Sequence, residues 1–569
     1  MLPAWEWMRR YRRSDLPADL AAGLITAVLL VPQGMAFAAL AGVPPSMGLY
    51  ASILPPVVYA LFGTSRTLSV GPVSITALLV ANAVAGLGPQ PGSDAYLAAV
   101  LMLTGLSAAI FLAMGLLRLG ALVHFISHPV LSGFTSAAAV IIVLSQMRAL
   151  TGVPVPRGLP PYDTALVLAR QLDAVNPPTL VLGLASIAAL ALSRTPLRRL
   201  LRRLGLSALA ATGVARSGPL LILAAATAAV TWTGLDQSGV AVVGTIRAGL
   251  PPLSLGFLGA APAAALLPSA VLISLIGYVQ SISVAKVLAH RRRQRVEPNR
   301  ELGALGLANA MAAVGGGMPV AGGFSRSMVN FDAGARTQLA TLISAVLVAV
   351  AALLLTPLFA HLPRATLAAV IVVAVASLFD WREAVTTWRY DRGDFLALAV
   401  TFFGVLGEGL EWGLLTGVGV ALAIQLWRSG HPHVAVVGRV PGTEHFRNIR
   451  RHDVETWSDV LLLRIDESLF FANASLLEDV IGDALSDYPH ARHLVLICSA
   501  VNRIDYSALE TLEGLNDDLR EAGVTLHLAE VKGPVMDRLA DTDLCRRFHG
   551  RIFLSTEEAI RSLADRPAR

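Results

Sequence analysis

The sequence predicts an α-helical membrane protein with fourteen membrane-spanning segments, followed by a soluble α/β domain. The chain has 569 residues, of which 54% are hydrophobic and only 15% charged, and its mean hydropathy is +0.62. Its charge is also divided. Residues 1–430 carry 29 Lys/Arg against 16 Asp/Glu, whereas residues 431–569 carry 16 against 23. A basic membrane part therefore precedes an acidic domain of a different kind.

Fourteen apolar runs provide the spans, ten of full spanning length and four shorter or interrupted. They lie near 20–40, 46–63, 70–87, 95–117, 128–147, 178–193, 218–234, 264–289, 301–315, 324–333, 337–356, 362–378, 394–406 and 410–428. We therefore divide the chain into a cytosolic N-terminal segment (1–19), a transmembrane domain (20–430) and a C-terminal domain (431–569). Trp5, Arg9 and Arg13 indicate an anchor at the lipid interface.

Basic residues in the loops predict that both termini are cytoplasmic. An even number of spans places the termini on one side, and that side holds most of the Arg residues, as the positive-inside rule requires. The predicted inner loops contain Arg66, Arg118, Arg194, Arg198, Arg199, Arg202, Arg203, Arg291, Arg292, Arg293, Arg295, Arg382, Arg389 and Arg392, and the outer loops contain Arg157, Arg170, Arg247 and Arg364. We interpret these charges as topology signals and expect no nucleic-acid partner.

Two of the apolar segments are interrupted by Gly and Pro. Residues 69–76 read Ser-Val-Gly-Pro-Val-Ser-Ile-Thr, and residues 316–327 read Gly-Gly-Met-Pro-Val-Ala-Gly-Gly-Phe-Ser-Arg-Ser. A broken helix at membrane depth survives only where protein or a polar cavity satisfies its backbone groups. The breaks fall in spans 3 and 10, the same place in each set of seven. This predicts a 7+7 inverted repeat with a substrate site at the bilayer midplane.

Each interruption is expected to start a half-helix whose first amide groups are free. The first half-helix should start near Pro72 and expose the N–H groups of Val73 and Ser74, and the second should start near Phe324 and Ser325. Two such N-termini make an anion site. Arg326 adds a cation where cations are costly. It attracts anions in one interpretation, and in others it only steadies the half-helix through an ion pair or carbonyl contact, or lies at an interface.

Three further polar or aromatic residues are candidates for contact with the substrate. Gln33 and Phe37 lie four residues apart on one face of the first span, next to the kinking Pro32. Gln280 on the eighth span provides an uncharged amide, which could bind substrate or join helices. Glu408 and Glu411, at a short turn, are interpreted as solvated loop acids.

Several functions lack their sequence signatures. The chain has no nucleotide-binding fingerprint, no pair of catalytic carboxylates and no metal-ligand cluster, so we expect no enzyme activity, cofactor or metal. Cys498 and Cys545 are the two cysteines, and they fit a reducing compartment. In the acidic domain, strands near 434–437, 460–465, 493–497 and 524–529 alternate with helices near 474–487, 507–521 and 555–564.

Several motifs together resemble the SulP family of anion permeases, which includes sulfate permeases, animal anion exchangers and prestin. They are Val31-Pro-Gln-Gly-Met-Ala-Phe-Ala, Gly48-Leu-Tyr, Ser69-Val-Gly-Pro, Ala285-Lys286, the run from Asn299 to Asn309, and Gly323-Phe-Ser-Arg-Ser327. The acidic domain resembles the family's STAS domain, with Ile504-Asp505-Tyr506-Ser507 at the loop-to-helix position.

The resemblance implies a core of spans 1–4 and 8–11 that moves against a gate of spans 5–7 and 12–14, in a homodimer. Family anion ligands fall on Gln33, Phe37, the backbone at Val73 and Ser74, and Ser325 with Arg326. Many proton-coupled plant and bacterial members carry an acid at the position of Gln280. Sodium-dependent members carry an Asp there and a Thr at the position of Phe324. This chain therefore lacks both sets of coupling ligands and resembles the exchangers at that position.

The sequence thus predicts a secondary anion transporter of the inner membrane, acting by alternating access. Candidate substrates are sulfate, bicarbonate, chloride, oxalate and dicarboxylates, moved by exchange or without sodium. A proton-coupled sulfate or dicarboxylate symporter is the alternative. A nucleobase permease of the same fold, or a signalling scaffold that acts through its STAS domain and a cytosolic protein partner, is less favoured.

Overall fold

The computed structural model describes residues 3–9, 11–121, 127–155, 160–204, 217–244, 249–259 and 261–564, without the side chains of 194–202. The chain divides into two compact units, Met1–Val420 and Ala421–Arg569. Of the arginines used for topology, Arg157 and Arg247 lie outside the described residues. The side chains of Arg194, Arg198, Arg199 and Arg202 do as well.

The chain up to Gly430 is built of helices, and the last of them continues past Val420, where the first unit ends. They are α1 (Pro3–Arg9), α2 (Leu16–Leu40), α3 (Pro45–Tyr50), α4 (Leu54–Phe62), α5 (Ser74–Ala85), α6 (Asp94–Leu116), α7 (His128–Thr151), α8 (Pro161–Arg170), α9 (Pro177–Arg203), α10 (Gly218–Thr233), α11 (Ala263–Arg291), α12 (Pro298–Val314), α13 (Phe324–Asp332), α14 (Leu339–Leu354), α15 (Arg364–Val375), α16 (Trp381–Tyr390), α17 (Arg392–Gly407) and α18 (Leu410–Gly430).

These helices follow the apolar runs of the sequence. Within the described ranges, seven helical stretches are long and apolar enough to cross a membrane, and Ser74–Ala85, Pro177–Ser193, Gly218–Thr233 and Leu339–Leu354 are shorter apolar helices. Pro at the first turn starts α3, α4, α7 and α12, where its missing N–H is no loss. The second predicted span is divided between α3 and α4, and the third and tenth are half-helices.

The longest-range polar contacts of this unit join spans 1–3 to spans 9–11. Asp19 of α2, which has no exposed surface, accepts hydrogen bonds from Arg336 N at 2.6 Å and Thr337 Oγ1 at 2.7 Å. Gln338 Nε2 donates to Ser65 O at 2.6 Å. These bonds sit at the ends of helices, where backbone groups have no partner in their own helix. They tie the start of α14 to the first spans.

The second unit holds a six-stranded mixed sheet in the order β4-β3-β5-β6-β7-β8. Its strands are β3 (Val434–Arg439), β4 (Phe446–Asn448), β5 (Val460–Ile465), β6 (His493–Ile497), β7 (Thr525–Ala529) and β8 (Ile552–Phe553). Its helices are α19 (Ala474–Asp487), α20 (Tyr506–Glu521), α21 (Gly533–Leu539), α22 (Asp543–Arg547) and α23 (Thr556–Leu563). From β5 to β8 the strands are parallel, and β3 is antiparallel to both neighbours.

The sequence predicted the strands of this domain that form continuous apolar runs, and it missed two short ones. The central strands read Val-Leu-Leu-Leu-Arg-Ile and His-Leu-Val-Leu-Ile, and both faces of the sheet are covered by buried clusters. Such continuous apolar runs are typical of parallel sheets. β4 and β8 were not predicted, because three and two residues at the sheet edges are too short to show a pattern.

A histidine pair lies inside this sheet. His527 of β7 is 3% exposed, its Nδ1 accepts from Arg551 N at 3.0 Å, and its Nε2 lies 3.1 Å from His493 Nδ1. Because Nδ1 accepts, the neutral ring carries its hydrogen on Nε2 and donates it to His493. Burial lowers the pKa of His527 to about 4.

We expect the C-terminal domain to lose stability as the pH falls from about 6.5 towards 4. The unfolded chain takes up a proton at its ordinary pKa, whereas folded His527 does so only near 4, so acid favours the unfolded state. The full difference corresponds to about 3 kcal/mol. Amide hydrogen exchange of β6 and β7 in the full-length protein measures it. His527→Gln should remove this pH dependence, and an unchanged pH dependence would contradict the assignment.

Candidate substrate-binding site

The two interrupted segments pair with each other. Val70–Gly71 (β1) and Ala321–Gly322 (β2) form a two-residue antiparallel ladder, with Val70 opposite Gly322 and Gly71 opposite Ala321. Gly323 N extends the ladder by donating to Ser69 O at 3.1 Å. Apart from Gly323, these residues lie two to five positions before the first residue of the helix that follows. Backbone groups that a helix would have satisfied are therefore satisfied by the other segment.

Each segment leads into a half-helix with a free N-terminus. α5 starts at Ser74 with Val73 as its N-cap, and α13 starts at Phe324 with Gly323 as its N-cap. Neither cap residue provides a side-chain hydrogen bond to its helix. The first amide groups of both helices thus keep their hydrogens for a ligand, together with the positive ends of two helix dipoles. The first helix begins two residues later than the predicted start at Pro72.

Arg326 joins the two segments. Its side chain is only 2% exposed, and its Nη1 donates to Pro72 O at 2.5 Å. Its Nε and Nη2 are buried without a hydrogen-bond partner, and no Asp or Glu of the described residues forms an ion pair with it. An arginine offers five N–H donors in a planar fork. The structure therefore leaves part of this fork free for an anionic ligand.

Two glycines make room for the guanidinium. A Cβ on Gly323 would lie 2.9 Å from Arg326 Cζ and Nη2, and one on Gly71 would lie 3.2 Å from Nη2. A distance below 3.0 Å requires something to move. The glycines of the interruption thus serve the packing of Arg326 as well as the break in the helix.

Buried amides and hydroxyls fix the two segments in place. Asn309 of α12 accepts from Val320 N at 2.9 Å and donates to Val320 O at 3.0 Å. Ser281 of α11 accepts from Gly322 N at 2.7 Å. Ser327 Oγ accepts from Ser69 N at 2.9 Å. These bonds hold β2 between two helices and hold β1 against α13.

Glu301 anchors the loop that leads into β1. This carboxylate has no exposed surface and accepts four hydrogen bonds, from Tyr59 Oη at 2.7 Å, Thr64 N at 2.6 Å, Thr64 Oγ1 at 2.5 Å and Ser65 N at 3.1 Å. A carboxylate has about four acceptor positions, so this one is saturated. Sequence reasoning gave Glu301 no role, although it lies in one of the motifs. Its position as an acid at the first residue of a predicted apolar span was the signal that could have found it.

The other predicted site residues lie on helices that pack against the paired segments. α2 packs on α5 and α13, and α11 packs on α5, β2 and α13. Gln33 is 9% exposed and Phe37 is 5% exposed on α2. Gln280 of α11 has a buried Oε1 without a hydrogen-bond partner. Ser325 and Phe324 are exposed at the start of α13.

Fewer residues make direct contacts at the site than the sequence predicted. The described hydrogen bonds join Arg326 to the first segment through Pro72, whereas Gln33, Phe37 and Gln280 are placed near it by helix packing alone. Glu408 is exposed, but Glu411 lies in the first turn of α18 and accepts from Ser269 Oγ at 2.6 Å. Among the described residues, no group of three His, Cys, Asp or Glu could hold a metal ion.

Comparison with known proteins identifies the family. The profile of the sulfate permease family matches residues 16–401, and that of the STAS domain matches residues 451–559. The chain is 34% identical to sulfate transporter 4.1, chloroplastic, of Arabidopsis thaliana over 543 residues, which cover 93% of this chain and 77% of the relative. The chain therefore belongs to the sulfate permease family and carries a C-terminal STAS domain.

Solved structures show the same fold. The structure of SLC26A9 matches with a TM-score of 0.88 at 22% identity, covering 99% of this chain and 92% of that one. The transmembrane domain of a cyanobacterial bicarbonate transporter, BicA, matches with a TM-score of 0.60 at 24% identity, covering 72% of this chain and 98% of that one. The predicted fold class, a helical transporter with an α/β STAS domain, is confirmed.

Family membership also defines the broad function. The chain is a multi-pass membrane protein that transports anions. Its relatives are transporters and not enzymes, which confirms that prediction. The alternatives of a nucleobase permease and of a signalling scaffold are set aside.

Replacing Gly323 with Ala should weaken anion binding. The added methyl group must displace the Arg326 guanidinium, so we expect the half-saturation concentration for anion uptake to rise about tenfold, equivalent to about 1.4 kcal/mol. Uptake into proteoliposomes measures it. Gly303→Ala is the matched control, because a Cβ there meets no atom within 4 Å. Equal effects of the two variants would contradict the assigned role of Gly323.

Proposed function

We propose that this protein is a secondary transporter that exchanges inorganic or small organic anions across a membrane by an elevator-like motion. Its substrate would bind between the N-termini of α5 and α13. The observation that carries this proposal is the buried Arg326, whose Nε and Nη2 lack partners beside two free helix N-termini. The proposed ligands are Gln33, Phe37, the amides of Val73 and Ser74, Gln280, and Phe324, Ser325 and Arg326.

Sulfate is the first candidate substrate. Relatives from Arabidopsis thaliana and Stylosanthes hamata are named sulfate transporters, and a tetrahedral oxyanion can accept hydrogen bonds from a guanidinium edge and from amides at once. Bicarbonate, chloride, oxalate and dicarboxylates remain in the same class. Affinity should be modest, between about millimolar and micromolar, since a transport site must also release its ion.

The hydrogen bonds of the first unit favour a rigid core as the moving part. Glu301, Asn309 and Gln338 all bond to partners within spans 1–4 or 8–11. Asn330 Nδ2 donates to Thr67 O at 3.0 Å within the same set. Elements that share many buried hydrogen bonds move together. We therefore infer that spans 1–4 and 8–11 form the core and that spans 5–7 and 12–14 form the gate.

The lack of a counter-charge for Arg326 favours exchange. An empty core would carry a buried positive charge through the membrane, which is costly, whereas a bound anion neutralises it. Return of the empty site should then be slow and return of the loaded site fast. Gln280 cannot take up a proton, and the carboxylate of Glu301 already accepts four hydrogen bonds. Proton symport of sulfate or a dicarboxylate is the alternative.

The assembly and location of the protein are also proposed. We infer a homodimer in the cell inner membrane, with both termini and the STAS domain in the cytoplasm. The positive-inside pattern of the loops supports this orientation. One relative is named a chloroplastic transporter, so its membrane differs from the cell inner membrane proposed for this chain. Residues 1–19, 20–430 and 431–569 are the proposed cytosolic, transport and STAS parts.

Arg326→Ala should abolish anion uptake. The variant removes the buried cation that joins the two interrupted segments, so we expect a loss of at least about a hundredfold in kcat/KM, equivalent to about 2.7 kcal/mol. Arg326→Lys should keep part of the activity, because it keeps the charge and loses the fork. Arg170→Ala, at an exposed arginine of α8, is the control. Normal uptake by Arg326→Ala in a folded protein would refute the proposed site.

Anion uptake should depend on a counter-anion and on neither sodium nor protons. In proteoliposomes, internal sulfate should accelerate the entry of labelled sulfate, and an inward sodium gradient should have no effect, because sodium ligands are lacking at Gln280 and Phe324. If an inward proton gradient drives uptake with no internal anion, the symport alternative is correct and the exchange proposal is wrong.

A further inference from the structure

The STAS domain carries a basic segment, residues 445–452, which reads His-Phe-Arg-Asn-Ile-Arg-Arg-His. It contains three arginines, Arg447, Arg450 and Arg451, two histidines and no acid. Residues 431–569 as a whole carry 16 Lys/Arg against 23 Asp/Glu. The segment is therefore a local patch of positive charge on a domain of net negative charge.

The arginines of the basic segment are exposed, and the guanidinium hydrogen bond described for them joins Arg447 Nη1 to the neighbouring Phe446 O at 3.3 Å. Arg447, Arg450 and Arg451 are all exposed, and none of them forms an ion pair within the described part of the chain. Elsewhere in the domain, Arg439 pairs with Glu455 and Glu557, and Arg464 pairs with Asp466. Two exposed acids, Glu444 and Asp453, flank the segment. Glu444 pairs with Arg561, and no described ion pair joins an acid to the three arginines of the segment.

The backbone holds the segment in a defined shape. β4 pairs with β3, and Ile449 N donates to Val436 O at 3.2 Å. Asn448 then closes a turn, because its Oδ1 accepts from Arg450 N at 2.8 Å and its carbonyl oxygen accepts from Arg451 N at 3.1 Å. The segment is an ordered turn on the edge strand of the sheet.

Strand directions place this turn at the end of the sheet that the chain enters from α18. β3 begins at Val434, four residues after α18 ends at Gly430. β4 is antiparallel to β3, so it runs back towards the start of β3. Asn473 Nδ2 donates to Ser429 O at 3.2 Å, which keeps the helix end beside the same end of the domain. Six residues separate Gly430 from Val436, at most roughly 20 Å of chain.

The end of α18 has the residues of a membrane interface. Trp427 is 65% exposed and stacks on His431, with ring centroids 4.8 Å apart. Trp at the end of an apolar span is typical of the headgroup level. The large anionic surface nearest to the basic segment is then the leaflet from which α18 emerges. Clustered arginines next to a span attract anionic lipid, whereas the rest of this acidic domain is repelled.

We propose that the basic segment binds anionic phospholipid headgroups and thereby orients the STAS domain against the leaflet. The binding is electrostatic and requires no pocket, so it should depend on lipid charge and weaken with salt. The proposal does not rest on the anion transported, because its residues lie outside the substrate site.

Energy transfer in the full-length protein tests this proposal. A donor dye is attached to the cysteine of a His452→Cys variant. Cys545→Ser removes the other accessible cysteine, and Cys498 is buried. The acceptor is a dye on the lipid headgroups of nanodiscs that hold the protein. Transfer should rise about twofold when phosphatidylglycerol is added to phosphatidylcholine, and high salt should reverse the rise. Transfer that does not respond to phosphatidylglycerol would overturn the proposal.

Variants separate the segment from the overall charge of the domain. R447Q/R450Q/R451Q should remove the response to anionic lipid, and R447K/R450K/R451K should retain it. R492Q/R546Q/R547Q removes the same charge from three other exposed arginines and should also retain it. A response lost equally in both Gln variants would overturn the assignment to this segment. Salt-sensitive binding of polyglutamate, without a lipid response, would indicate an acidic protein partner and overturn it as well.

Discussion

The short ladder between β1 and β2 is the constraint on which the transport domain depends. A membrane helix satisfies its own backbone hydrogen bonds, and a broken one cannot. Here each broken segment finds its partner in the other, across about 250 residues of chain, with Val70 opposite Gly322 and Gly71 opposite Ala321. Because the ladder is only two residues long, each helix restarts at once. Breaking the two helices thus produces a site at which two helix N-termini lie side by side.

Such a ladder is too short to be stable alone, and the surrounding polar contacts supply the rest. Asn309, Ser281 and Ser327 satisfy the backbone around it, and Glu301 holds the preceding loop. All of these side chains are buried, so each unpaired group would be costly. The site is therefore built into a rigid group of helices, and a ligand meets donors that are already in position. That arrangement suits the proposed elevator-like transport, in which this group of helices moves as a whole with its ion.

Charge gives the two units different relations to the membrane. In the transport domain Arg326 is buried with its fork only partly used, and the proposed ligand that completes it is the transported anion. In the STAS domain the free arginines are at the surface, where lipid headgroups are the proposed partner. In both cases the informative observation is an arginine without a counter-charge, because these side chains keep their charge when they are buried or exposed.

The sequence by itself determined the class of the protein, the positions of its spans and the two interruptions with Arg326. Hydropathy, loop charge and the effects of Gly and Pro act over a few residues, so they can be read locally. Only the tertiary structure decided that the two interruptions pair with each other. It also decided that Arg326 donates a hydrogen bond to the Pro72 carbonyl and that Glu301 binds the loop before β1. Those features depend on hydrogen bonds between residues far apart in the chain, and no local pattern records which distant groups will meet.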